Sequence, residues 1–211
     1  MRIGVIGSGK IGSTAARLFA DSGHEIAIAN SRGPETLGDL VGDIGQNAIA
    51  ATVEEAASFG DVVLVAIPFG AYAELPAEAL TGRVVIDATN YYPNRDGNIA
   101  ELDDDSTTSS EMLAGHAPGA KVVKSFNTMN WQVLRDRAKP GGGDDRLAIF
   151  LAGDDAEAKS LVAGLIEEIG FAPVDTGGLA EGGRRQQPGS ALYNKPVTES
   201  EGRGALAGMD D

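Results

Sequence analysis

RIGVIGSGKIGSTAARLFADSGHEIAIANSR, residues 2–32, decides how the rest of the chain is read. Its opening is a short apolar run stopped by glycine, which predicts a strand over Arg2–Ile6. Apolar residues then recur at Ile11, Ala15, Leu18 and Phe19, the spacing of one helix face, and Gly23 stands where a helix C′ glycine belongs. HEIAIAN, residues 24–30, predicts a second strand. Between the first strand and the helix lie Gly7, Gly9 and Gly12 in the order G-x-G-x-x-G. Gly7 permits a tight turn, Gly9 lets the backbone approach a pyrophosphate, and Gly12 lets helix and strand pack closely. The helix N-terminus then offers unpaired N–H groups and a positive dipole end to phosphate. Ser8, Lys10 and Ile11 occupy the same loop, and Lys10 can add charge to it.

The second strand ends without an acid. A carboxylate at this place accepts hydrogen bonds from the ribose hydroxyls of NAD and repels a 2′-phosphate. Here Asn30, Ser31 and Arg32 follow the strand. The repulsion is gone, Ser31 can donate a hydrogen bond, and Arg32 can present a charged fork to a phosphate dianion. The expected cofactor is therefore NADP(H), with a weak contribution from Thr36.

Further along, helices are expected over residues 35–43 and 53–58, with a short strand at Ala48–Ala51 between them. DVVLVAIP, RVVIDATN, AKVVKSFN, RLAIFLAG and FAPVDTG predict further strands, and SSEMLAGH and DAEAKSLVAGLIEEIG predict helices. Strands apolar on both faces suit a sheet covered by helices on each side. The pattern gives an α/β class, a doubly wound, mostly parallel sheet (Rossmann fold). Residues 1–211 read as a single NADP-binding domain of which about 176–211 form a small C-terminal appendage. Residues 139–146 (KPGGGDDR) read as a solvated connector, and the polar, glycine-rich tail from Glu199 as loosely held.

Ligands of such sheets sit at the carboxyl ends of the strands. That makes candidates of Ala66, Ile67, Pro68 and Phe69, of Thr89 and Asn90, of Asn127, Thr128 and Met129, and more remotely of LAEGGRRQQPG. Phe69 is expected to wall a nicotinamide, and Thr89 and Asn90 to bond ribose or carboxamide. Asn127 and Thr128 are expected to face the same crevice from the far side. No catalytic side chain and no metal ligand is assigned. His24 and His116 read as structural, Asp103, Asp104 and Asp105 as a solvated acidic loop, and Lys124 as buried or paired within a strand. Hydride transfer between two heterocycles needs chiefly alignment, and its proton can come from water.

Composition narrows the partners. With 31 acidic and 17 basic residues the net charge is -14, which argues against nucleic acid and anionic membranes. The absence of cysteine removes disulfides and thiol chemistry. No apolar run approaches the roughly 20 residues of a membrane helix, and the chain reads as cytoplasmic.

Taken in series, the first 32 residues, DVVLVAIPF, VVIDATN, GAKVVKSFNTM, the LAGDDAEAKSLVAGLIEEIGFAPVDTGGL segment and RRQQPGSALYN resemble the F420-dependent NADP oxidoreductase family. The resemblance implies hydride transfer between NADP(H) and the deazaflavin coenzyme F420, by a homodimer. It implies a 2′-phosphate held by Ser31 and Arg32, a pyrophosphate on the loop Gly7, Ser8, Gly9, Lys10, Ile11 and Gly12, and a deazaflavin over the nicotinamide near Ile67, Pro68, Phe69 and Asn127, Thr128, Met129. Asn127 stands where the resemblance implies histidine, so other acceptors stay open: a flavin, or a small carbonyl or imine compound. A non-catalytic NADP(H)-sensing module is the reading from another class.

Overall fold

The structure, a computed structural model, describes residues 1–143 and 145–209. Asp144 of the expected connector and Asp210 and Asp211 of the expected appendage lie outside the described residues. Eight strands form one sheet: β1 (Arg2–Ile6), β2 (Glu25–Ala29), β3 (Ala48–Ala51), β4 (Val62–Val65), β5 (Val84–Asp87), β6 (Lys121–Ser125), β7 (Ala148–Gly153) and β8 (Ala172–Asp175). Their order is β3-β2-β1-β4-β5-β6-β7-β8. The first six run parallel, β7 is antiparallel to β6, and β8 is parallel to β7. From β1 the chain steps outward to β2 and β3, then returns to β4 on the other side of β1. That reversal is the switch point at which doubly wound sheets open a crevice. Ile6 is in register with Ala29 on one side and Val65 on the other. The loops leaving β1, β2 and β4 therefore emerge side by side.

The helices are α1 (Lys10–Asp21), α2 (Gly38–Ile44), α3 (Val53–Phe59), α4 (Pro93–Asp96), α5 (Ala100–Asp103), α6 (Ser109–His116), α7 (Trp131–Asp136), α8 (Ala156–Glu168), α9 (Glu181–Arg185) and α10 (Glu199–Ala207), with 3-10 turns at Pro34–Thr36 and Phe69–Glu74. Alternate strand residues feed opposite faces, as the two-residue period requires. Ile3, Val5, Ile26, Ile28 and Leu64 pack with Phe19 of α1 and Ile166 of α8 on one side. Ala27, Val63, Val65 and Val85 pack with Ala56 of α3 and Leu113 of α6 on the other. Each large apolar side chain so enclosed contributes about 1.5–3 kcal/mol.

The strand expectations hold with their ends trimmed, but the tail does not behave as expected. Residues 199–207 form α10, opened at Thr198, whose N–H and hydroxyl both donate to the Glu201 carboxylate. Gly202 lies so close to β7 that a side chain there would press on Phe150 and Ala148. The Ala148 N–H donates to Val197 O, and Leu192 joins Ala148, Phe150 and Val174 in a third apolar cluster. Low helix propensity is overridden by capping and by packing that only glycine permits. The connector is tied as well, through a Lys139–Asp145 ion pair and a Lys139 N–H bond to Gly170 O.

Candidate active site

The glycine turn assigns a separate reason to each glycine. Gly7 has φ +116°, and a Cβ there would strike the Ala66 carbonyl of the neighbouring loop. A Cβ on Gly12 would strike the Gly7 carbonyl. Both are needed by the fold. Gly9 is not: its φ of -71° is ordinary, and a Cβ would meet nothing of the chain within 4 Å. The space in front of Gly9 is a cradle that a side chain would fill. Behind it, α1 begins with no side-chain cap and no acid in its first turn. By contrast α3, α6, α7 and α8 are capped by Thr52, Thr108, Asn130 and Asp155. Open N–H groups facing a reserved space fit the pyrophosphate of a dinucleotide.

Asn30, just past β2, acts as a scaffold. Its Nδ2 donates to Ser8 Oγ at 3.1 Å and to Thr36 Oγ1 at 3.0 Å, and its Oδ1 accepts the Arg32 N–H at 2.8 Å. It thus ties the glycine loop to the loop after β2. Ser31 and Arg32 are exposed on that loop, and among the described residues the Arg32 guanidinium has no hydrogen bond or ion pair. Both line a cavity of about 500 Å³ together with Gly7, Ser8, Gly9 and Asn30. A free guanidinium and a hydroxyl fit a 2′-phosphate, whereas a carboxylate would repel it. Lys10 turns away from this position, its Nζ lying 5.0 Å from the centre of the Trp131 ring.

Beyond the glycine loop the crevice continues. Ala66, Ile67 and Pro68 line the large cavity and a second one of about 320 Å³. A third, of about 210 Å³, is walled by Asn127, Thr128 and Met129. The second and third share Ile11, Ala88 and Asn90 as a common floor. Two expected residues are not there. Phe69 is fully buried, stacked on Tyr72 at 4.7 Å and edge-on to Tyr91, because it begins a 3-10 turn that rolls its ring inward. Thr89 is also buried: its N–H bonds to Asp87 Oδ1 in a tight turn and its carbonyl accepts from Lys124 Nζ at 2.5 Å. Ile67 and Pro68, not Phe69, line the crevice at this point.

The two asparagines are engaged with each other. Asn90 Nδ2 donates to Asn127 O at 2.9 Å, and Asn127 Nδ2 donates to Asn90 Oδ1 and to Gln186 O. The Oδ1 of Asn127 is buried and has no hydrogen-bond partner among the described residues. The turn that carries it is strained: Phe126 sits at φ +64°, held there by burial against Phe19. Beneath lies a fully buried ion pair, Lys124 Nζ to Asp87 Oδ2 at 3.1 Å, with Ser110 Oγ donating to the same oxygen at 2.6 Å. Burial pushes the Lys124 ammonium below its usual range, against the pull of Asp87. This pair pins the ends of β5 and β6 together.

His24 bonds Glu168 at 2.7 Å, and His116 bonds Leu75 O, both outside the crevice walls. Asp103 and Asp104 are partly engaged, by Tyr91 and Asn98 and by Ser106 respectively. Among the described residues no group of acids or histidines could hold a metal, and no helix is long and apolar enough to cross a membrane. Two residues absent from the expectations do reach the crevice: Tyr92, with Arg95 over its ring, and Tyr193, whose hydroxyls hydrogen-bond each other. They are 101 positions apart, and only the Pro93 that starts a helix beside Tyr92 hinted at order there.

A switch-point crevice, a G-x-G-x-x-G turn with a reserved cradle and an unpartnered arginine beyond β2 together define a dinucleotide-binding oxidoreductase fold. Residues 2–91 match the family of coenzyme F420-dependent NADP oxidoreductases, and the chain belongs to it. That family is described as NADP oxidoreductases dependent on coenzyme F420. Over 94% of its length it superposes on 95% of a hypothetical protein from Sinorhizobium meliloti, with TM-score 0.83 and 34% identity. It also matches all of an Arthrobacter sp. FB24 protein proposed to be an F420-dependent NADP reductase, over 94% of this chain, with TM-score 0.76 and 28% identity. Metalloreductase STEAP3 of Rattus norvegicus is 29% identical over 181 residues, which is 85% of this chain and 34% of that protein. The chain thus spans about a third of the length of the curated relatives it matches.

Proposed function

We propose that the chain passes hydride between NADPH and a deazaflavin, coenzyme F420, or a similar flat acceptor. In this reading Gly7, Ser8, Gly9, Lys10, Ile11 and Gly12 surround the pyrophosphate, and Ser31 and Arg32 hold the 2′-phosphate. Ile67 and Pro68 back the nicotinamide, while Thr128 and Met129 wall the acceptor. NADPH supplies the hydride; the chain supplies alignment, exclusion of water and hydrogen bonds. The observation that carries the reading is the continuity of the crevice. The second and third cavities share Ile11, Ala88 and Asn90, so a ring seated past Ile67 has a further binding place directly beside it. The family's name and the Arthrobacter relative support the deazaflavin. The likeness to a metalloreductase supports a second acceptor, a metal complex reached directly or through a free flavin.

The test is direct. The protein is mixed with NADPH and oxidised F420, and the deazaflavin absorbance is followed; parallel mixtures contain FMN alone or FMN with ferric citrate. Bleaching of F420 is expected. Turnover only with FMN or ferric citrate transfers the assignment to the second reading, and turnover with none removes both.

A further inference from the structure

We propose that the hydroxyl pair of Tyr92 and Tyr193 is the proton donor for the acceptor, matched to the hydride that arrives from the nicotinamide side. The inference rests on the reading of this crevice as the place of hydride transfer.

The placement is built from both ends of the chain. Tyr92 is the N-cap residue of α4, its N–H bonded to Asp96 Oδ2 and its ring covered by the Arg95 guanidinium at 5.0 Å. Arg95 is fixed in turn by Asp96 and by the Asn90 carbonyl at 2.6 Å. Tyr193 is fixed by its neighbours in sequence. Leu192 is sunk in the third apolar cluster, and the Asn194 N–H bonds to Thr128 O at 2.8 Å with Asn194 at φ +55°. Tyr92 lines the cavity of Ile67 and Pro68, while Tyr193 lines that of Thr128 and Met129. Their hydroxyls hydrogen-bond each other, so the pair links a wall of one cavity to a wall of the next, and Asn90 lines both.

In such a pair one hydroxyl donates and the other accepts. The accepting hydroxyl keeps its own proton, and among the described residues neither phenol oxygen has another partner besides its mate. One O–H is thus left to point at whatever occupies the crevice. Burial, then the Tyr92 hydroxyl, pushes the Tyr193 phenol above its ordinary range, so Tyr193 carries its proton at neutral pH. The step balances. As the new C–H bond forms on a carbonyl, imine or conjugated ring, the C=O or C=N π pair moves to oxygen or nitrogen. That atom takes the tyrosine proton, the O–H bond breaks, and the phenolate is reprotonated from water through its partner hydroxyl. The coenzyme leaves oxidised by two electrons and the acceptor reduced by two.

Tyr92→Phe and Tyr193→Phe test this, assayed with NADPH and three probes: oxidised F420, FMN and 9,10-phenanthrenequinone. Both variants should bind NADPH within about twofold of wild type by coenzyme fluorescence, since phenylalanine keeps each ring in its place and neither residue lines the 2′-phosphate cavity. Both should lose about a hundredfold or more in kcat, the range for removal of a general acid. Without coenzyme, near-ultraviolet titration should show a late tyrosine ionisation that Tyr193→Phe removes and Tyr92→Phe moves earlier. Variants that keep kcat within about threefold while wild type turns over remove the proton donor alone. A wild type that binds NADPH yet reduces none of the probes removes the hydride-transfer reading and the donor with it.

Discussion

A side chain at Gly9 would meet nothing of the chain, whereas one at Gly12 would run into the Gly7 carbonyl. Folding and binding therefore separate at neighbouring glycines. Gly9→Ser places a good N-cap residue at a position whose φ and ψ already suit one. Thermal stability should hold or rise, and NADPH affinity should fall by at least tenfold in a fluorescence titration. Equal affinity would mean that the cradle is not where phosphate lies. Arg32→Ala makes the complementary prediction. Loss of a charge-assisted bond of about 1.5–3 kcal/mol should weaken NADPH roughly ten- to hundredfold and leave NADH little changed. At this scale the glycine turn and the missing acid were legible in the sequence, because both are backbone and charge statements. Side-chain direction was not. Phe69 looked like a wall, but the 3-10 turn it begins rolls it into the core. Thr89 looked like a ligand group, but the turn onto Asp87 buries it.

Element by element, central strands such as β4 and β5, buried at every position, announce themselves as continuous apolar runs, whereas β3 and β8, partly exposed, were legible from their place between helices and turns. The short helices were harder. α10 contains Gly202 and Gly204 and ends at Gly208, which argues against a helix on propensity alone. Thr198 and Glu201 nonetheless stand at capping-box spacing, a signal present in the sequence and outweighed there by the glycines. What decides the matter is tertiary: Gly202 rests on Phe150 and Ala148, with a virtual Cβ only 3.2 Å from the Phe150 ring. Gly202→Val should force the helix off β7 or strain it in place, at a cost of about 1–3 kcal/mol. Urea unfolding reads the loss, and hydrogen exchange should show faster opening of β7 and of the segment from Thr198. A variant of unchanged stability would mean that the helix does not seat on β7.

For the molecule as a whole, the surplus of 14 negative charges sets two opposing responses to salt and pH. Surface ion pairs such as Arg2–Asp61 and Arg17–Asp43 weaken when screened, but exposed pairs contribute at most about 1 kcal/mol each. Repulsion among the unpaired acids acts over the whole surface and is screened by the same ions, with a Debye length of about 10 Å at 0.1 M. The repulsive part should win at neutral pH, so raising KCl from about 0.02 to about 0.3 M should raise Tm by a few degrees. Acidification works against a different set. Hydrogen bonds from the Arg2 side chain and backbone hold the Asp61 carboxyl low, and the Thr52 N–H and hydroxyl do the same for Glu55. A carboxylate held low in the fold contributes stability above its unfolded value, near 4, and loses it as pH falls through the folded one. Around pH 4 the protein should therefore have lost most of its salt response, because net charge is falling. Below that, stability should decline as these carboxylates protonate, while the buried Lys124–Asp87 pair stays beyond the reach of salt. Calorimetry over a grid of pH and KCl measures both effects at once. A Tm that falls with salt at pH 7 would show that ion pairs, not repulsion, set the electrostatic balance of the fold.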